Sequence, residues 1–305
     1  MGIGVFLLDF IAPYLEGMAP YVPGEFFPYF FTMKMFQRAL LTAVMVTVVS
    51  GFLGTFLLIR NLSLIGDGLA HVSFGGVAVG IVLGATSPLS YALLFSVTAA
   101  ILIYEMQSRE MLTGDASIAI FLTGMLAFGL VVLRISGGGI TLDIEAYLFG
   151  NLLLIDSSDL DMTAFLCIVC LITLILIHPG LLATTVDPLA AQIQGIPVRA
   201  IGLLFSVVTA AIVVTMVQVV GTLLVTALLV TPAATAQLVA RSFRSCLALT
   251  QFFGLTSVIL GLYFSAELDT GSGSMIALVS AVLFAVVASF KVFEGLITPL
   301  RQEGN

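Results

Sequence analysis

The run Arg60-Asn61-Leu62-Ser63-Leu64-Ile65-Gly66-Asp67-Gly68-Leu69-Ala70-His71-Val72-Ser73-Phe74-Gly75-Gly76-Val77-Ala78-Val79-Gly80-Ile81-Val82-Leu83-Gly84 decides how the chain is read. It opens on a cation and then continues to Gly84 without another arginine, a lysine or a glutamate. A helix needs about 20 apolar residues to cross a bilayer, so 63–84 reads as a membrane span. Two ionisable groups, Asp67 and His71, lie within it. An ionisable group inside a span costs at least about 2.5 kcal/mol on insertion scales, which makes the pair a functional candidate.

The rest of the chain has the same character. Of its 305 residues, 60% are hydrophobic and 9% are charged. Soluble globular chains carry about 25% charged residues. The composition predicts an all-α, polytopic membrane protein of about nine transmembrane helices. Spans are expected near 39–59, 63–84, 88–106, 116–134, 161–178, 199–217, 220–240, 246–265 and 274–292, separated by Gly-, Pro- and Asp-rich turns. These use up nearly the whole chain and leave no stretch for a soluble catalytic domain. A net charge of −7 and only two lysines, Lys34 and Lys291, argue against nucleic acid as a partner.

Cys167 and Cys170 have C-x-x-C spacing, but both fall in an apolar run and read as small core side chains. Cys246 also lies in an apolar run, and no disulfide framework is expected. The segment Gly2 to Ala12 lacks a basic start and contains Asp9, which argues against a cleaved signal peptide. It also reads as too short and interrupted for a span. Residues 13–38 hold four prolines and many aromatics, which suits a segment at the outer headgroups. The expected organisation is therefore 1–35 as an outer interfacial segment, 36–295 as the transmembrane domain and 296–305 as a cytoplasmic tail. Residues 141–154, apolar but short and containing Asp143 and Glu145, read as an outer half-helix.

The bias of basic residues sets orientation. Nine crossings with the C-terminus in the cytoplasm and the N-terminus outside place Arg60, Arg109, Arg199, Arg241, Arg244, Lys291 and Arg301 inside. Only Lys34, Arg38 and Arg134 then lie outside, together with Asp156, Asp159, Asp161, Glu267 and Asp269. The location is thus a cell membrane, multi-pass.

Counting a helix from Arg60 at 1.5 Å per residue puts Asp67 about 10 Å deep and His71 about 16 Å deep. The spacing i, i+4 sets both on one helix face. A carboxylate and an imidazole one turn apart can grip a divalent cation, and both ligand types suit zinc and first-row metals. The same pair could instead lock helix packing or relay protons, and metal handling is the preferred reading. Gly66, Gly68, Ala70, Gly75 and Gly76 permit close approach of a neighbouring helix.

A second irregularity is Leu228-Leu229-Val230-Thr231-Pro232. Pro232 has no N–H for the Leu228 carbonyl, and Thr231 and Thr235 add hydroxyls. These could line a cation path, or the proline could serve packing only. The inner loop 179–198 carries Asp187, Pro188, Gln192, Gln194, Gly195 and Pro197 around a helix-sized stretch. It reads equally as a docking element and as a plain connector. Gln218, His178 and Glu105 are expected at helix ends, and Glu267 and Asp269 at the outer mouth, where they could attract cations by their field or, more simply, form a solvated acidic loop. No G-x-x-x-x-G-K-[ST] occurs, so the chain is no P-loop ATPase, and no H-E-x-x-H occurs either.

The run from Arg60 to His71 resembles a motif of the zinc/manganese/iron ABC permease family, usually R-x-L-S-L-M-G-D-A-L-S-H. The run from Val220 to Ala236, VGTLLVTALLVTPAATA, is similar to that family's second hallmark. Tyr147-Leu148-Phe149-Gly150-Asn151 and Gln194-Gly195-Ile196-Pro197 agree, and the matches span residues 36 to 292 in order. Gly68 and Ala70 stand where alanine and serine are common, and Val72-Ser73-Phe74-Gly75 replaces the usual A-V-L-P.

This resemblance implies a fold like the vitamin B12 importer's membrane subunit (the type II ABC permease fold). It implies a homodimer within membrane lipid, with separate cytoplasmic ATP-binding subunits and an extracytoplasmic metal-binding protein. Asp67 and His71 would be cation ligands, with Leu228, Thr231 and Thr235 along the pathway. Asp187, Gln192, Gln194 and Gly195 would belong to the ATPase docking region. The metal (zinc, manganese or iron) would be transported substrate, not a resident cofactor. Two other readings stand beside this one: an ion-coupled secondary carrier acting alone, and a permease for a metal chelate.

Overall fold

The computed structural model describes residues 2–85, 87–136, 150, 152, 155–222 and 225–302, with the side chains of all of these except 218, 220 and 295–302. Its helices are α1 (Ile3–Met18), α2 (Tyr29–Thr32), α3 (Lys34–Ile59), α4 (Ile65–Val82), α5 (Pro88–Ser108), α6 (Gly114–Ile135), α7 (Ser157–Val186), α8 (Pro188–Ile193), α9 (Val198–Val220), α10 (Val225–Leu229), α11 (Thr231–Val239), α12 (Phe243–Leu268) and α13 (Ser272–Gln302). No strand occurs among the described residues. The expected half-helix at 141–154 lies outside them apart from Gly150, Leu152 and Ile155, which borders it, as do 303–305 of the expected tail.

Nine described helices are long and apolar enough to cross a membrane: the α1 segment Ile3–Tyr21, α3, α4, α5, α6, α7, α9, α12 and α13. The membership differs from expectation in two places. The 220–240 span is not one helix. Gly221, at φ 80°, ends α9, and Pro232, unable to donate, interrupts the hydrogen-bond ladder between α10 and α11, where Val230 keeps helical angles. Conversely, α1 is a continuous helix, because Asp9 lies on its exposed side near Lys34 Nζ (3.8 Å) and so does not interrupt its buried face. In addition, α7 runs through Pro179 to Val186, so the loop before α9 is shorter than expected.

The bundle has an arginine end and an acidic end. At the first, Glu105 near the close of α5 binds Arg109 (3.1 Å) and Arg199 at the start of α9 (2.6 Å). Phe243 at the start of α12 packs on Phe56 near the close of α3, with ring centroids 5.0 Å apart. Between α9 and α12 the broken pair α10–α11 therefore carries the chain back to the arginine end. At the acidic end Asp156 caps α7 through the N–H groups of Ser158 and Asp159, both at 2.8 Å. Those bonds hold its carboxyl below the usual carboxylate range.

The N-terminal segment is fastened to the acidic end more than once. Val5 N–H donates to Asp161 Oδ1 (2.9 Å) at the start of α7. The N–H groups of Glu25, Phe26 and Phe27 donate to Glu267 near the close of α12, at 3.2, 3.0 and 3.0 Å. From Met18 to Glu25 the chain can extend at most about 25 Å, and less with the 3-10 turn at Ala19–Tyr21. The hydrocarbon core is about 30 Å thick, so α1 cannot cross it fully and return.

At the centre, α3, α4 and α9 are buried over most of their spans, whereas α6 and α13 are buried over little of theirs. α4 is clamped between α5 and α6, and this closeness depends on glycine. A Cβ on Gly76 would stand 2.6 Å from the Tyr91 carbonyl oxygen of α5. The helix that carries the ionisable pair is thus an inner element with packed neighbours on several sides.

Candidate cation site

Asp67 lies in the first turn of α4, not two turns in. Arg60 closes α3, Asn61 takes a positive φ of 56°, and the chain turns before α4 begins at Ile65. Measured along α4 alone, Asp67 is about 3 Å and His71 about 9 Å from its start, which corrects the depths counted from Arg60. The turn is itself recessed. The Arg60 guanidinium sits 5.0 Å from the centroid of Phe205, well inside α9, and burial lowers its pKa from the usual value.

Asp67 and His71 do share a face. Asp67 is partly exposed, and His71 is only 9% exposed. His71 Nδ1 is buried without a hydrogen-bond partner among the described residues. One Asp67 oxygen, Oδ1, accepts a hydrogen bond from Thr226 Oγ1 in α10. A carboxylate with an oxygen to spare and a bare imidazole nitrogen one turn away is a donor set open to a cation. No group of three or more His, Cys, Asp or Glu side chains gathers among the described residues. Further ligands at this place would be hydroxyl, carbonyl or water oxygens.

The seating of 225–239 sets up the Thr226 contact. α10 is wedged between α3, α4 and α13. Leu229 and Val225 pack on Gly66 of α4, and Ser280 of α13 donates to the Ala227 carbonyl at 3.2 Å. A Cβ on Gly54 of α3 would come 2.0 Å from the Leu229 carbonyl oxygen, so only glycine admits α10 at this depth.

The neighbouring candidates are distributed differently. Leu228 is buried, and Thr235 spends its hydroxyl on the Thr231 carbonyl within α11 at 2.8 Å. No described contact joins Thr231 or Thr235 to Asp67. Thr226 was passed over in the sequence, although it stands in the quoted hallmark. Its spacing before Pro232 was the available signal.

Cys167 and Cys170 are buried, unpaired thiols on α7. His178 lies among Phe52, Phe56 and Phe243, with centroids at 6.1, 5.9 and 5.7 Å. At the acidic end, Glu267 is engaged by backbone N–H groups and is not a free mouth charge.

At the arginine end, Asp187 caps α8 by accepting from Leu189 N–H (3.0 Å) and Ala190 N–H (2.9 Å). Pro188 opens that helix, and Gly195, at φ 80°, follows its C-cap Gln194. Leu189 and Ile193 are exposed apolar side chains at 71% and 81%. Gln192 lines an open cleft of about 840 Å³ together with Tyr104, Glu105, Arg109 and Arg199.

Comparison with known proteins agrees with this architecture. The ABC 3 transport family model matches residues 32–291. The manganese transport system membrane protein MntC of Halalkalibacterium halodurans is 34% identical over 274 residues, covering 90% of this chain and 93% of that one. The high-affinity zinc uptake system membrane protein ZnuB of Haemophilus influenzae is 33% identical, covering 83% and 96%. The solved structure of PsaBC from Streptococcus pneumoniae in complex with Fab superposes with a TM-score of 0.73 at 34% identity, covering 83% and 90%. An inward-facing metal-chelate type ABC transporter gives a TM-score of 0.72 at 18% identity, covering 93% and 98%, a likeness of fold. The chain belongs to the ABC 3 transport family.

Proposed function

We propose that this chain is the membrane-spanning permease subunit of an ABC importer that moves a divalent transition-metal ion, manganese foremost, into the cytoplasm. The observation that carries the reading is the Asp67–His71 couple on the inner helix α4, with its unpartnered imidazole nitrogen. The donors gathered there are oxygen and imidazole nitrogen, with no thiolate described beside them. That set favours manganese or iron over zinc, and the naming of MntC and its ScaB relatives as manganese transporters points the same way.

The arginine end is the cytoplasmic end by the positive-inside rule. There α8, with Asp187, Gln192, Gln194 and Gly195 shaping its ends, presents Leu189 and Ile193 to an ATP-binding subunit. Two copies of the chain form the pathway in the bilayer, and an external metal-binding protein delivers the ion to the acidic end. The first 35 residues form an outer interfacial segment. Ile3, Phe6, Phe10, Tyr14 and Met18 make an exposed stripe at helical spacing on α1, suited to the headgroup boundary. The cation passes between Asp67 and His71 as ATP binding to the partners rocks the halves of the assembly.

The test is ATP-driven manganese uptake by the complex reconstituted in liposomes. Asp67→Ala and His71→Ala should each abolish uptake while the complex still assembles. Wild-type uptake in both variants overturns the assignment. Uptake by the chain alone, driven by an ion gradient, would point to a secondary carrier instead. Competition by excess zinc ranks the two metals.

A further inference from the structure

We propose that Thr226 is a positioning residue of the cation site: its hydroxyl orients Asp67 and so ties the short segment 225–239 to the ligand helix. This rests on the reading of Asp67 and His71 as ligands.

Three observations converge on it. Thr226 Oγ1 donates to Asp67 Oδ1 across two elements 159 residues apart in sequence. The element that carries it is held on several sides, by Gly54, by Gly66 and by the Ser280 hydroxyl, so the hydroxyl is presented by a fixed backbone. The opposite ligand, His71, has a nitrogen with no described partner. A carboxylate is broadly free about its last torsion unless something holds it. A hydroxyl on one oxygen fixes the plane and leaves the other oxygen for a cation. The ordering cost is then met before the ion arrives.

The end of α9 at Gly221 is what makes this possible. A helix running on from α9 in register would carry position 226 on a different path. Instead a new apolar stretch, Val225–Val239, starts after Gly221 and seats its first turn against Gly54 and Gly66. Val230 N–H donates to the Thr226 carbonyl at 2.8 Å, so that turn runs helically into α11. Thr226 is therefore placed by the packing of this stretch and not by the register of α9.

The experiment uses the assembled complex with its ATP-binding subunits, without nucleotide, titrated with Mn²⁺, followed by uptake kinetics in liposomes. Thr226→Val removes the hydroxyl at nearly constant shape. It should weaken Mn²⁺ binding by roughly 10-fold to 100-fold, the range for partners that orient metal ligands. It should raise KM with the maximal rate retained. Thr226→Ser should restore most of the affinity. Should Thr226→Val fail to assemble, Thr226→Ala is read by the same criterion. Wild-type affinity in the hydroxyl-free variant overturns the proposal. So does a serine variant as weak as valine, which would assign the effect to the methyl group. Asp67→Ala, measured in parallel, separates the levels: lost binding there with an unaffected Thr226→Val removes only Thr226, whereas retained binding removes the site itself.

Discussion

The α4 helix and the 225–239 segment are both apolar, both interior and in contact with each other, yet one is long enough to span and the other is short with a proline inside it. α4 brings its polarity as two side chains one turn apart and continues as one helix through them. The 225–239 segment brings the Thr226 hydroxyl to Asp67 and holds Pro232, which has no N–H for the Leu228 carbonyl. The first arrangement gives the proposed ligands a rigid base. The second is a short unit seated by close packing at Gly54 and Gly66. A binding place that must hold an ion and later release it is well served by one element of each kind.

Each prediction tests one side of that contrast. The largest effect belongs to α4: Asp67→Ala should remove saturable manganese uptake altogether, measured with the metal isotope in liposomes. Next is the seat of α10. Gly54→Ala places a methyl against the Leu229 carbonyl, and overpacking of this sort costs about 1–3 kcal/mol. Uptake should fall by roughly 10-fold, whereas Gly124→Ala, whose added Cβ meets nothing within 4 Å, should behave as wild type. Equal behaviour of the two glycine variants would dissolve the claim that α10 is wedged.

Away from both elements, Leu189→Glu with Ile193→Glu should cut co-purification of the ATP-binding subunit while leaving Mn²⁺ binding to the complex that remains unchanged. Loss of binding instead would mean that α8 acts on the site through the bundle.

The smallest effect lies in a helix that takes neither part. Asp156→Ala removes the α7 cap and should cost about 1 kcal/mol, read as a lowered unfolding midpoint. Because the folded state lowers this carboxyl's pKa, its contribution is present above the unfolded carboxyl pKa and fades as pH falls through the folded one. The difference between wild type and variant should therefore shrink under acid.

Much of this was legible in the residues, for reasons that are local. Asp67 and His71 declare a shared face through i, i+4 spacing, and span-length apolar runs declare the bundle. The α8 cap is written as Asp187-Pro188, a polar N-cap followed by a proline at N1. What escaped depends on long-range packing. Arg60 looked like the foot of the ligand helix, but Asn61 ends one helix and the next starts at Ile65, so the counted depth was wrong. Asp9 looked like an interruption of α1, but Lys34 meets it on the exposed side. Thr226 lies among several hydroxyls in one run, and only the fold selects which of them meets Asp67.

The Glu267 carboxylate accepts its N–H groups from residues that precede it by 240 to 242 positions. Ribosomes add roughly 5–20 residues each second, so residues 25–27 leave the tunnel roughly 12–48 s before this clasp exists. During that interval the aromatic stretch has only neighbours made earlier, or lipid, to shelter it. A segment made early is buckled down late.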